Sequence, residues 1–170
     1  GFLAATTGVQ MGGWYRKEIN SLDDFKGLKF RMPGIGGEVL RQLGVAVINL
    51  PGAEVFPALQ AGTIDGTEWV GPWFDMMLGF YKVAKYYYYP GFHEPGTTGS
   101  FAINKGLWDG LTKSEQLLIE TVIQAESMIQ GSEFSARNLA SLDVLMNKHG
   151  VKLRRYSDDM LTKFGTLSGQ

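Results

Sequence analysis

The 170-residue chain contains no cysteine, which excludes disulfides, thiolate metal sites and thiol nucleophiles together. Histidine is nearly absent too: His93 and His149 are the only two, and a histidine-based metal centre would need both plus carboxylates. Charge of one sign is also missing, since 16 Lys+Arg against 17 Asp+Glu leave a formal −1. Broad nucleic-acid or anionic-membrane surfaces need concentrated positive charge, so neither is favoured. No apolar run approaches the ~20 residues of a membrane-spanning helix. The longest uncharged stretch, residues 1–15, is broken by Thr6, Thr7, Gln10 and several glycines and lacks a basic leader, so it reads as neither a span nor an intact signal peptide. No Gly-x-Ser-x-Gly elbow occurs, and nothing else in the sequence points to catalysis.

What is abundant is glycine, 23 of 170 residues, near twice the ~7% of average proteins. Spread through otherwise hydrophobic sequence, these glycines favour many tight turns over a flexible linker. With 44% apolar and 12% aromatic residues the chain can bury a core.

Short apolar runs alternate with helical patterns over the first hundred residues, the mark of an α/β fold. Strands are expected at residues 3–6, 13–16, 28–32, 45–49 and 63–69, with helices at 38–43 and 53–61 between the later ones. That order gives right-handed parallel crossovers if the strands share a sheet. A helical segment at 72–84, an aromatic strand at 86–89 and a strand at 98–104 follow. Thr112 and Glu115 have capping-box spacing. The apolar periodicity behind them predicts a helix of about 38 residues, ~55 Å long, with a break at Gly131-Ser132 as the competing reading. A short strand at 151–154 and a helix from Ser157 close the chain.

Arg31 is the most informative single residue. It ends an apolar strand just before a glycine-rich turn, which puts its guanidinium at the strand's C-terminal edge, where open α/β sheets hold ligands. Its planar fork can grip a carboxylate through two parallel hydrogen bonds; an ordinary ion pair with an acid is the alternative. Gly34-Ile35-Gly36-Gly37 lacks the dinucleotide pattern, because position 39 is Val39, and no Gly-Lys-Ser/Thr occurs. Glu68, beside Trp69 at a strand end, is the better acid for a cleft, and Asp65 reads as a strand-end acid. A hard cation takes oxygen from carboxylates, amides and backbone carbonyls, and Gln10 could supply an amide oxygen. His93 next to Glu94 reads as part of a solvated loop, and Tyr86–Tyr89 as two alternating faces of one strand.

Several stretches together carry a resemblance. Leu22-Asp23-Asp24-Phe25-Lys26-Gly27-Leu28-Lys29-Phe30-Arg31 is similar to the "DLKGLKIR" segment of solute-binding proteins of tripartite ATP-independent periplasmic (TRAP) transporters. Leu43-Gly44-Val45, Ala58-Leu59-Gln60-Ala61-Gly62-Thr63-Ile64-Asp65-Gly66 and Phe101-Ala102-Ile103-Asn104-Lys105 continue it in order. Gly8-Val9-Gln10-Met11-Gly12-Gly13-Trp14, Thr67-Glu68-Trp69-Val70-Gly71-Pro72 and the Tyr86–Tyr89-Pro90-Gly91 run resemble the 2-oxoacid-binding branch.

The resemblance implies a periplasmic-binding-protein-like (type II-like) α/β lobe with a long C-terminal helix, the N-terminal lobe and its signal peptide lying outside these residues. It divides the chain into residues 1–71 (the α/β part of the C-terminal lobe), 72–97 (a crossing segment of the N-terminal lobe), 98–111 (a return strand of the C-terminal lobe) and 112–170 (the long helix and C-terminal helical region). It implies that Arg31 holds a substrate carboxylate. A cation, with sodium preferred and calcium the alternative, would bridge substrate to Gln10, Glu68 and the Trp69 backbone carbonyl. The expected role is periplasmic capture of a small monocarboxylate, a 2-oxoacid such as pyruvate or a 2-hydroxyacid, for a membrane permease, with a homodimer formed through the C-terminal helical region and no nucleic-acid partner. The rival readings are a metal-assisted 2-oxoacid lyase or decarboxylase with His93 as base, and an interaction module built on the long helix.

Overall fold

The alternating stretch around Phe30 folds as a central strand, and the other elements take their places from it. The computed structural model describes residues 1–169. In chain order the elements are β1 (Phe2–Val9), β2 (Gly13–Tyr15), a 3-10 turn (Leu22–Phe25), β3 (Lys29–Arg31), α1 (Gly34–Gln42), β4 (Ala46–Ile48), α2 (Gly52–Ala61) and β5 (Gly66–Thr67). There follow α3 (Pro72–Met77), a 3-10 turn (Phe80–Lys82), β6 (Tyr86–Tyr89), β7 (Gly96–Phe101), α4 (Lys105–Gly110), α5 (Lys113–Asn147), β8 (Lys152–Arg155) and α6 (Asp158–Ser168).

Six strands form one mixed sheet in the order β4-β3-β5-β2-β6-β8, and β1 and β7 pair as a separate antiparallel ribbon. The expected crossover unit is present: β3 runs parallel to both β4 and β5. β2 enters the sheet antiparallel to β5 and β6. Period-2 alternation sends successive aromatics to opposite faces. Tyr15 and Tyr88 join Phe25, Phe30, Tyr156 and Phe164 in one core, while Trp14 and Tyr87 join Val55, Leu59, Phe80 and Leu145 in the other. Trp14 and Tyr87 stack with centroids 3.9 Å apart. The tyrosine run is thus two faces of one buried strand.

Several expectations need correction. Within residues 72–97, β6 lies inside the sheet between β2 and β8, and Phe80, Ala84, Tyr87 and Tyr88 are buried. The strand expected at 98–104 spans Gly96–Phe101 and pairs with β1. The helix expected at 38–43 begins four residues earlier, at Gly34. The expected strand 63–69 shrinks to Gly66–Thr67, and the 72–84 helix is split at Gly79, a left-handed glycine at φ +76°.

The long helix is unbroken for 35 residues and starts on the anticipated Thr112/Glu115 capping box. Gly131 does not break it. A Cβ there would sit 3.0 Å from the Thr6 methyl, so the glycine lets β1 lie close against the helix. One stretch of α5 thereby packs on the ribbon. Its C-terminal part buries Leu145 in the sheet core, and Phe134 sits 4.9 Å from both Trp73 and Phe74.

Candidate functional site

Register puts Arg31 opposite Ile48 on β4 and Thr67 on β5. All three lie at the C-terminal ends of parallel strands, the edge at which open α/β sheets bind ligands. Just beyond that edge Glu68 closes on the arginine. Arg31 Nη1 donates to Glu68 Oε1 at 2.6 Å and to the Glu68 carbonyl at 3.2 Å, while Nε reaches the Leu50 carbonyl at 3.4 Å. Among the described residues Nη2 makes no hydrogen bond, which leaves one arm of the fork open to an incoming carboxylate. The guanidinium also lies over the Trp69 ring, 5.1 Å from its centroid. The pair is largely desolvated, with side chains 11% and 5% exposed, so its attraction is far less screened than that of a surface pair.

Glu68 has a second partner. His93 Nε2 lies 3.2 Å from Glu68 Oε2, and its side chain is 5% exposed. The solvated-loop expectation for His93 is therefore wrong. The reason lies in the glycine-rich turn: a Cβ on Gly36 would stand 2.6 Å from His93 Cβ and 2.8 Å from Met32 Sδ. That glycine, inside the first turns of α1, makes room for the imidazole. Asp65 behaves as the strand-end acid expected of it, accepting the Lys29 amide at 2.9 Å.

Gln10 is 2% exposed. Its Nε2 donates to Thr97 Oγ1 at 2.6 Å, and its Oε1 is buried without a partner. A buried, unsatisfied amide oxygen is costly unless something electropositive meets it, which suits a cation ligand. Gln10 makes no hydrogen bond to Arg31 or Glu68. It is tied to them by the loop after β6, where Gly91 N donates to the Gln10 carbonyl at 3.1 Å and Gln10 N to Pro95 at 3.2 Å, the same loop that carries His93. The neighbouring Met11 N donates to the Val70 carbonyl at 3.1 Å. Trp69 follows Glu68 directly, and among the described residues nothing donates to its carbonyl oxygen. These residues therefore present one carboxylate, one amide oxygen and one backbone carbonyl, the donor types a hard cation takes. No cluster of three His, Cys, Asp or Glu residues suited to a metal exists among the described residues.

The arrangement leaves Arg31 Nη2, Gln10 Oε1 and the Trp69 carbonyl without hydrogen-bond partners among the described residues. Residues 1–168 match the bacterial extracellular solute-binding proteins, family 7 (DctP). The chain belongs to that family. Within it, this chain is 44% identical over 160 residues to a monocarboxylate 2-oxoacid-binding periplasmic protein of Nostoc sp., covering 94% of this chain and 44% of the relative. It also resembles a TRAP periplasmic solute-binding protein of Pseudoalteromonas atlantica, solved with bound sodium and pyruvate: 39% identity, TM-score 0.88, 99% of this chain and 51% of that one. A similar protein of Colwellia psychrerythraea, with bound calcium and pyruvate, gives 37% identity and a TM-score of 0.90 over 99% of this chain and 51% of that one. The chain spans about half the length of the relatives it matches.

In this family 7 chain two supporting residues escape sequence reasoning. His93 has its partner 25 positions away, and no local pattern announces it. Asp75 is the other. It is 1% exposed and accepts four hydrogen bonds: Oδ1 from the amides of Val70 (3.1 Å) and Gly71 (3.0 Å), Oδ2 from Trp14 Nε1 (2.8 Å) and Tyr87 OH (2.7 Å). The only sequence signal was Gly71-Pro72 followed by an acid in the first helical turn.

Burial outweighs those four bonds and pushes the Asp75 carboxyl up to about 6 from an ordinary 3.8. The folded chain then holds this proton more tightly than the unfolded one. The contribution to stability is complete below 3.8 and lost as pH rises through about 6. A shift of this size corresponds to roughly 3 kcal/mol. Asp75→Asn, which does not titrate, should flatten that part of the stability-against-pH curve in urea unfolding between pH 4 and 6. An identical slope in variant and wild type would remove Asp75 as its source.

Proposed function

We propose that the protein is the extracytoplasmic solute-binding component of a TRAP transporter, capturing a small monocarboxylate, a 2-oxoacid such as pyruvate, for delivery to a membrane permease. The observation that carries this reading is the desolvated Arg31–Glu68 pair at 2.6 Å, set at the C-terminal strand edge beside an undonated Trp69 carbonyl. Arg31 takes the substrate carboxylate. Gln10, Glu68 and the Trp69 carbonyl would hold a cation, which would supply a second positive charge for the anionic substrate. Charge supports sodium over calcium: Arg31 and Na⁺ balance Glu68 and the substrate, whereas a divalent ion leaves one uncompensated positive charge in a low-dielectric site. Support for the substrate class comes from the 44% identical 2-oxoacid-binding relative and the pyruvate-bound neighbours.

The domain reading is part of the same proposal. The six-stranded sheet, residues 72–89 included, forms one lobe, the β1–β7 ribbon leads toward a second, and α5 runs along both. Exposed Leu117, Leu118, Val122, Met128 and Ile129 on α5 supply the apolar surface for a homodimer through the helical region.

Calorimetry on the whole protein tests the ligand. Pyruvate should release heat in sodium or calcium buffer and bind far more weakly when both are replaced by a large organic cation. Proton NMR should show pyruvate unconsumed. Equal affinity with and without the metal ions, or steady loss of pyruvate, overturns the reading.

A further inference from the structure

The buried carboxylate of Asp75 reaches the candidate cation site through a single peptide group. Asp75 Oδ1 accepts the Val70 N–H at 3.1 Å, and Val70 N belongs to the same planar unit as the Trp69 carbonyl. Among the described residues the cis peptide is Tyr89–Pro90, so the Trp69–Val70 unit is trans and its C=O points opposite to its N–H. The hydrogen bond therefore directs the Trp69 oxygen away from Asp75 and toward the side where nothing donates to it. A negative acceptor on the N–H also draws the peptide's electrons toward oxygen, because hydrogen-bonded amides polarise one another along a chain. The next peptide is held in the same way: Asp75 Oδ1 accepts Gly71 N at 3.0 Å, and the Val70 carbonyl on its far side accepts Met11 N at 3.1 Å, one residue from Gln10. One carboxylate thus anchors the segment carrying Glu68 and Trp69 and the strand entry carrying Gln10.

We infer that Asp75 is a positioning residue for the cation, fixing the direction and raising the negative charge of the Trp69 carbonyl through the Val70 amide without touching the ion. Its other oxygen is secured by Trp14 and Tyr87, which stack on each other at 3.9 Å and belong to the core beside the strand edge. The site's outer support is therefore part of the hydrophobic core. This rests on the cation reading above and adds to it the residue that orients one of its ligands.

The test separates support of the ion from support of the fold. Asp75→Asn keeps the shape and removes the charge; Tyr87→Phe removes one bond to the other oxygen and leaves both amide bonds in place. Sodium affinity, measured by calorimetry at fixed pyruvate on the whole protein, should fall roughly 10- to 100-fold in Asp75→Asn, the range for outer-shell changes around metal ligands. Raising sodium should restore pyruvate binding. Tyr87→Phe should melt earlier with its sodium affinity intact. Where Asp75→Asn does not fold, the wild type still decides: with the Trp69 carbonyl labelled with ¹³C and Val70 with ¹⁵N, both resonances should move on sodium addition. Undiminished sodium affinity in Asp75→Asn or a parallel loss in Tyr87→Phe overturns the inference alone, and a Trp69 signal blind to sodium removes that carbonyl from the cation reading and the inference with it. A wild type with no sodium dependence overturns the cation reading and this inference together.

Discussion

Glu68→Ala is expected to abolish the dependence of pyruvate binding on sodium and to lower affinity in sodium buffer by at least about 100-fold, some 2.7 kcal/mol. Glu68 is the only charged group among the proposed ligands, and affinity for a hard cation follows ligand charge. In wild type, a plot of log affinity against log sodium concentration should have a slope near one, because the proposed site couples one ion to one substrate; in the variant the slope should vanish. A second consequence comes from Arg31, whose side chain is only 11% exposed. Without Glu68 its charge is left buried and unpaired, a loss of about 3–5 kcal/mol where such pairs are broken, which should lower the denaturant midpoint. His93, the other partner of Glu68, cannot compensate, since it carries no negative charge. A variant that keeps the sodium slope refutes Glu68 as a ligand, however much stability it loses.

Arg31→Lys is expected to do the opposite to the two readouts. Pyruvate affinity should fall roughly 10- to 100-fold at every sodium concentration, while the sodium slope persists. Lysine keeps the charge but not the fork. Arg31 uses Nη1 for both the carboxylate and the carbonyl of Glu68 and Nε for Leu50, with Nη2 open. A single ammonium cannot hold those contacts and also take a substrate carboxylate at a fixed angle. The fork is not idle before substrate arrives. On the proposed reading the substrate carboxylate would meet the open Nη2 arm. Calorimetric titrations of both variants against sodium and pyruvate resolve the two roles; unchanged pyruvate affinity in Arg31→Lys removes the arginine from the site.

Much of the frame is legible before any coordinates. The β3-α1-β4-α2-β5 unit follows from alternation and helical spacing, and with it the position of Arg31 at a strand end. The capping box at Thr112 and Glu115 marks the start of α5 to within a residue. Local reasoning fails where a residue's partner is distant. Gly131 looks like a helix break in isolation and is instead the contact point for β1. Tyr86–Tyr89 reads correctly as a two-faced strand, yet its place between β2 and β8 depends on residues more than sixty positions away on either side. His93 beside Glu94 looks like a solvated pair, and only the packing of the post-β6 loop over Gly36 presses it against Glu68.

The sequence by itself determined the α/β class, the strand-end position of Arg31, the acid and amide candidates at Glu68 and Gln10, and the family, because each depends on residues close together in the chain or on ordered motifs. Only the tertiary structure decided which oxygens are left without donors, which histidine is buried, and which acid holds the Trp69–Val70 peptide. Those outcomes depend on desolvation. Gln10 Oε1, the His93 ring and the Asp75 carboxylate acquire their chemistry from walls contributed by segments as much as 87 residues away, and no spacing rule along the chain encodes which walls will meet.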